Sequence, residues 1–193
     1  MIRRGKKKQN YAFIDSQNLN LGTQRMGWKM DWRRFRQYLK DEHNVSKAYM
    51  FIGYMSENEA LYEYMHELGF LVVLKPTVDI SQNESRNDKG QNLNKPAGQT
   101  VEKEKGSVKG NVDAELVLYA MKEWPNYNKA ILVSGDGDFF SLAEYLNQNN
   151  KLGKILAPNW QYSSLLKVFE DKIIRLDQLR GQLAYKDRVK KKK

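Results

Sequence analysis

The sequence predicts an α/β fold, with a mainly parallel central sheet and helices on both of its faces. Two observations carry this reading. Short apolar runs of strand length recur along the chain, and segments of helical periodicity separate them. Such alternation implies βαβ units, whose strands are buried on both faces and so read as continuous apolar runs.

The elements follow in order. Tyr11–Ile14 is a short apolar run that ends at Asp15 and reads as a buried first strand opening into a polar loop. Asp31 is placed to cap a helix carrying Trp32, Phe35 and Leu39 at helical spacing. Lys47–Tyr54 is rich in aromatics and reads as strand two. Over 57–68, Leu61, Tyr62, Met65 and Leu68 share one helical face, and Gly69 stops the helix. Phe70–Leu74 is strand three, closed by Pro76. From Val112 the pattern turns helical through Leu116, Val117, Ala120 and Met121, ending near Pro125. Ala130–Val133 is strand four, Phe139–Gln148 a helix with Leu142, Ala143 and Leu146 inward, and Lys154–Ala157 strand five. Residues 163–169 read as helical, Ile173–Ile174 as a brief extended piece, and Asp177 as the cap of a last helix entering the basic tail.

One segment differs in kind. Residues 79–107 are dominated by Asn, Gln, Ser, Gly, Lys and Glu, with Leu93 nearly alone among large apolar residues. They read as a long polar loop or an interrupted hairpin within the one domain, expected to be mobile because they bury too little apolar surface to offset ordering entropy. The expected organisation is a basic tail at 1–10, one domain over 11–185, and a second basic tail at 186–193.

Composition narrows the classes of function. There is no Cys and only two His, which excludes disulfides and thiolate metal sites and leaves little for a His-rich zinc site. No apolar run approaches the ~20 residues of a membrane span, and the YAFI that follows the basic start is too short for a secretory signal. The expected setting is cytoplasmic. The net charge of +10 resides in the tails: 1–8 and 186–193 each carry a net +5, and the body between them is neutral. Basic tails suit a polyanionic partner such as RNA, and equally suit solvated ends that aid solubility.

In open α/β sheets, sites form outside the carboxyl ends of the strands. Two such ends are unusual here. FIDSQNLN places Asp15 just after strand one, and LVSGDGDFF places Asp136 and Asp138 in a glycine-punctuated turn after strand four. Asp113 opens the helix of KGNVDAELVLYAM. A hard cation such as Mg²⁺ takes a few carboxylates, several waters and substrate phosphates. Each acid also has an ordinary reading: Asp113 as an N-cap, Gly-Asp-Gly-Asp as a tight turn, Asp15 as a loop cap. An acid after an apolar strand at two separate places favours the metal.

FIDSQN, KGNVDAEL and LVSGDGDFFSLAEYL together resemble the three signature blocks of the NYN-domain family, in the LabA-like branch of the PIN-like nucleases, from about Tyr11 to Leu183. SGDGDF is the most specific block. The resemblance implies a three-layer α/β/α fold with a PIN-like parallel sheet, and a ribonuclease that uses Mg²⁺ or Mn²⁺. It implies Asp15, Asp113, Asp136 and Asp138 as the catalytic and metal-holding acids. Asn18 matches the family's Asn after the first Asp, and Ser134 precedes the paired acids. With Lys109, these are the expected substrate-binding residues. The chain departs from the pattern at Tyr119, where many relatives have a further Asp, at Ser16, where a Gly is frequent, and in the 79–107 insertion.

A rival resemblance, to haloacid-dehalogenase-type phosphatases, rests on Gly135–Asp138. It fails at strand one, where Gln17 replaces the second acid of the Asp-x-Asp such enzymes need. Lys105 and Lys109 are read as phosphate contacts or as solvated loop charges. Trp28, Trp160 and Tyr162 are read as base-stacking residues or as loop anchors. The expected activity is metal-dependent cleavage of RNA. The alternative is a weak or inactive PIN-like protein that binds RNA or regulates a partner. A homodimer is compatible with the sequence.

Overall fold

The computed structural model describes residues 9–75 and 112–186. The tails at 1–8 and 187–193, the polar segment 79–107, Lys105 and Lys109 lie outside the described residues.

Six parallel strands form one sheet: β1 (Asn10–Asp15), β2 (Val45–Gly53), β3 (Phe70–Lys75), β4 (Ala130–Val133), β5 (Leu152–Ala157) and β6 (Ile173–Arg175), in the order β3-β2-β1-β4-β5-β6. The first three strands wind outward one way and the last three the other. The reversal falls between β1 and β4, which pair from Tyr11↔Ala130 to Ile14↔Val133. That is the switch point at which doubly wound sheets open a crevice.

Alternation along each strand divides the core into two layers. On one face Phe13, Tyr49, Phe51 and Leu132 pack with Leu116 of α4 (Asp113–Lys122) and Leu142 and Leu146 of α5 (Phe140–Gln148). On the other, Ala12, Ile14, Met50 and Val133 meet Leu19 of α1 (Ser16–Arg25), Phe35 and Leu39 of α2 (Trp32–His43), Met65 of α3 (Glu59–Glu67) and Leu183 of α6 (Arg180–Leu183). The two layers flank the sheet, as the strand–helix alternation predicts.

At the amino edge the sheet is closed by structural hydrogen bonds. The Asn10 side-chain amide donates to His43 O (2.7 Å) and its carbonyl accepts from Lys129 N (3.1 Å), joining the starts of β1, β2 and β4. Asp15, the last residue of β1, lies at the opposite, carboxyl edge.

Three expectations are corrected. Residues after Asp15 form helix α1 at once rather than a polar loop. Only Leu19, Gly22 and Thr23 of that helix are buried, so its inward face is too narrow to register as an apolar stripe. Ile173–Ile174 is extended as expected, and residues 173–175 pair with β5 as a sixth strand. Asp177 does not cap the last helix. It lies inside the 3-10 turn Leu176–Leu179 and binds Arg175 through both carboxylate oxygens (2.6 and 3.1 Å). Finally, α6 stops at Leu183, where Ala184 bridges to Met30, and does not run on into the tail. Asp31, by contrast, caps α2 as expected, accepting from Arg34 N at 3.1 Å.

Candidate active site

The site begins where β1 ends. Asp15 is the last residue of the strand and the N-cap of α1, with one carboxylate oxygen accepting from Asn18 N at 3.0 Å. Its other oxygen accepts from the Ser134 hydroxyl at 3.2 Å. That hydroxyl in turn accepts from Asp136 N at 3.1 Å. The Asn18 side-chain carbonyl accepts from Gly135 N at 2.9 Å. Asp136 then caps the 3-10 turn Gly137–Phe139 by accepting from Asp138 N at 3.1 Å. The loops after β1 and β4 are thus laced together by side chains from both.

The turn is also held from behind. Gly135 O accepts from Ser163 N at 2.9 Å. A Cβ on Gly137 would collide with the Ser163 hydroxyl, and one on Gly22 with Pro158. Buried Asn159 donates to Gly22 O (2.9 Å) and accepts from Gln161 N (2.7 Å), fixing the 158–163 loop against α1. Sequence reasoning missed this support, because a loop pinned by tertiary contacts carries no periodic signal.

Asp113 arrives by a third route, at the first position of α4. Lys75, the last residue of β3, binds Glu115 in the first turn of that helix at 2.9 Å. This ion pair ties the start of α4 to the carboxyl edge of the sheet.

Electrostatics connect the three acids. Burial is the largest influence on Asp15 and raises its pKa above the ordinary carboxylate range. The Asn18 N–H opposes this, the charge of Asp113 raises the pKa again, the Ser134 hydroxyl lowers it, and Asp136 raises it further. A buried carboxyl therefore faces two like charges brought in by two other elements. Asp15 is 5% exposed, Asp113 and Asp136 are half-buried, and Asp138 is exposed. Among the described residues, no group of three or more Asp, Glu, His or Cys side chains is close enough to hold a metal ion in its present arrangement. The oxygen-only donor set suits a hard cation, but closing it around an ion requires side-chain movement.

The remaining expected residues fall as follows. Asn18 and Ser134 spend the hydrogen bonds described above on positioning the two acidic loops. Lys109 lies outside the described residues. Trp28 is 6% exposed, packed in the core with α2 and α6, so it is not a stacking platform. Trp160 is exposed, and Tyr162 lines a hollow of about 110 Å³ with Asn18, Arg25, Gly135 and Gln161. Tyr119, where the resemblance leads one to expect a further acid, packs its ring on Tyr49 (5.5 Å) and Phe51 (5.6 Å).

The NYN domain family model matches residues 11–177. The chain belongs to the NYN domain family. NYN domains are a PIN-like nuclease family. The chain is similar to the low amplitude and bright protein LabA of Synechococcus elongatus, with 23% identity over 173 residues, 88% of this chain and 84% of that protein. It also resembles the crystal structure of a protein of unknown function from Vibrio parahaemolyticus, with a TM-score of 0.65 and 22% identity, covering 93% of this chain and 99% of that one. That likeness is one of fold. Among the described residues, no helix of this NYN protein is long and apolar enough to cross a membrane.

Proposed function

We propose that this NYN protein is a divalent-metal-dependent ribonuclease whose acidic site comprises Asp15, Asp113, Asp136 and Asp138. The observation that carries the reading is the placement of Asp15: a buried carboxyl at the switch point of the sheet, linked through the Ser134 hydroxyl to Asp136 of the loop after β4. Like charges meeting in a poorly solvated site destabilise the protein unless a cation or a proton joins them. Asp15 ends β1, Asp136 follows the neighbouring β4, and Asp113 opens the helix between β3 and β4. These are the side chains that would hold Mg²⁺ or Mn²⁺. A bound ion would polarise a phosphoryl oxygen and lower the pKa of a water.

The chain's own contribution is positioning. Ser134 and Asn18 tie the two loops, so that Asp15 and Asp136 keep one spacing. The Lys75–Glu115 pair holds the start of α4. RNA is the proposed substrate, with the tails at 1–8 and 186–193 raising its local concentration. The proposed setting is cytoplasmic, and a homodimer is compatible with the reading.

A second reading has its own support. Tyr119 replaces a family acid, and the acids are not gathered tightly enough for an ion as they stand. A protein that binds RNA or regulates a partner without cutting would need neither. Incubating labelled single-stranded RNA with Mn²⁺, with and without chelator, separates the two. Chelator-sensitive cleavage supports the nuclease, and intact but bound RNA supports the alternative.

A further inference from the structure

Two hollows lie on the face of the sheet covered by α1, α2 and α3. The first, of about 450 Å³, is walled by Ser16, Gln17, Leu21, Ile52, Met55 and Leu61. It therefore starts at the residue that follows Asp15. The second, of about 590 Å³, is walled by Arg33, Arg34, Tyr64, Tyr185 and Lys186. Trp32 lines both, so the two adjoin at this residue.

The chemistry changes along this trough. Near Asp15 it is apolar, with Leu21, Met55 and Leu61 each more than 40% exposed. Beyond Trp32 it is aromatic and cationic. Tyr64 is 40% and Tyr185 59% exposed, although burial of such rings is favoured wherever a core can accept them. Arg33 makes no ion pair or hydrogen bond among the described residues. Arg34 binds Asp31 (3.3 Å) and donates to Gln182 O (3.4 Å), so the one acid in the wall, Asp31, is already engaged. The wall thus carries a net positive charge. Its far end is held in place, because Tyr185 N donates to Lys29 O (2.9 Å) beside the Met30–Ala184 bridge.

We infer that this trough is a track for single-stranded RNA, leading from the acidic site past Trp32 to the Tyr64–Tyr185 pair. The inference deepens the ribonuclease reading and rests on it for the choice of RNA. Rings exposed beside guanidinium groups offer stacking for unpaired bases and contacts for the phosphates between them. A duplex presents no free base faces to such rings, so the strand is single. Ser16 and Gln17 at the near end deliver that strand to Asp15.

The test is binding by the full chain in chelator, read by fluorescence anisotropy. The probes are labelled oligouridines of roughly twelve and roughly four nucleotides, spanning the range of single-strand site sizes. Tyr64→Ala and Tyr185→Ala, both at exposed positions, should each weaken the longer probe about fivefold or more. Tyr185→Phe should restore most of the affinity, because stacking does not need the hydroxyl. Arg33→Ala should reduce the salt slope by about 0.7, the share of one single-strand phosphate. The shorter probe, and its cleavage in Mn²⁺, should respond little to either Tyr→Ala change. Equal binding of the longer probe by wild type and both alanine variants would overturn the track even if RNA is cleaved. So would equal competition by an acidic peptide, which would make the wall a general anion surface. If binding follows these predictions and no cleavage occurs with Mn²⁺, the track stands and the nuclease reading fails.

Discussion

The Ser134 hydroxyl donates to the Asp15 carboxylate at 3.2 Å across 119 residues of sequence. Through this contact the loop after β4 is set by the last residue of β1. The same hydroxyl accepts from Asp136 N, so one oxygen holds two of the acids in register. Ser134→Ala removes a donor to a buried carboxylate and an acceptor for a backbone N–H together. A loss of about 1–3 kcal/mol of stability is expected, measured by urea unfolding. Metal-dependent turnover should fall with it, and Ser134→Thr should recover part of both. Unchanged stability in Ser134→Ala would mean that the two loops do not depend on this link.

The raised pKa of Asp15 has a defined sign. Burial and the charges of Asp113 and Asp136 let the native protein keep this proton at a pH where the unfolded chain has lost it. Between the ordinary carboxylate pKa and the raised one, the native state binds more protons, so stability falls as pH rises through that window. Asp15→Asn keeps an oxygen to cap α1 and lacks this loss. Without metal, its melting temperature should equal or exceed that of wild type at pH 7, and the difference should move in favour of wild type as pH falls toward about 4, below which this group contributes no further change. A variant markedly less stable than wild type at pH 7 would show that Asp15 is not under this strain.

Gly22 lies inside α1, where alanine would ordinarily favour the helix by about 1 kcal/mol. Here a Cβ would collide with the Pro158 ring, which cannot swing away. Gly22→Ala should therefore destabilise, with an overpacking cost of about 1–3 kcal/mol exceeding the helical gain. Thermal unfolding decides the sign. A stabilised variant would mean that α1 and the 158–163 loop are free to part.

Tyr119→Asp tests whether the missing family acid can be restored. The Tyr119 ring packs on Tyr49 and Phe51, and Lys122 lies 5.5 Å from its centre. Exchanging it for a carboxylate should cost about 2 kcal/mol or more, since it removes a partly buried aromatic and brings charge to the core layer. Turnover should not rise. A stable variant with faster cleavage would show that this position does face the site.

These residues also show what sequence reasoning could reach. Ala130–Val133 is apolar throughout and bounded by polar residues, and the strand has those limits. Asp31 and Gly69 signal the start of α2 and the end of α3 by local chemistry, a side-chain cap and a positive φ of 84°. The carboxyl-edge placement of Asp15, Asp113 and Asp136 follows from where each sits relative to a strand or helix end. Three things were not legible. Helix α1 buries too few apolar residues to leave a pattern. Trp28 follows a glycine in a polar stretch and is taken into the core only by α2 and α6. The Tyr64–Tyr185 trough joins residues more than a hundred positions apart, whose exposure is decided by tertiary packing.

The acidic site is tested most directly by the cleavage of labelled single-stranded RNA in Mn²⁺ by the wild type, Asp15→Asn and Asp136→Asn, each confirmed folded by its melting temperature. Chelator-sensitive cleavage by the wild type is expected, with a loss of at least about a hundredfold in both variants, since removing even a supporting partner of a metal ligand costs about 10–100-fold. Cleavage by wild type and both variants at the same rate, or binding without any cleavage, would contradict the nuclease reading.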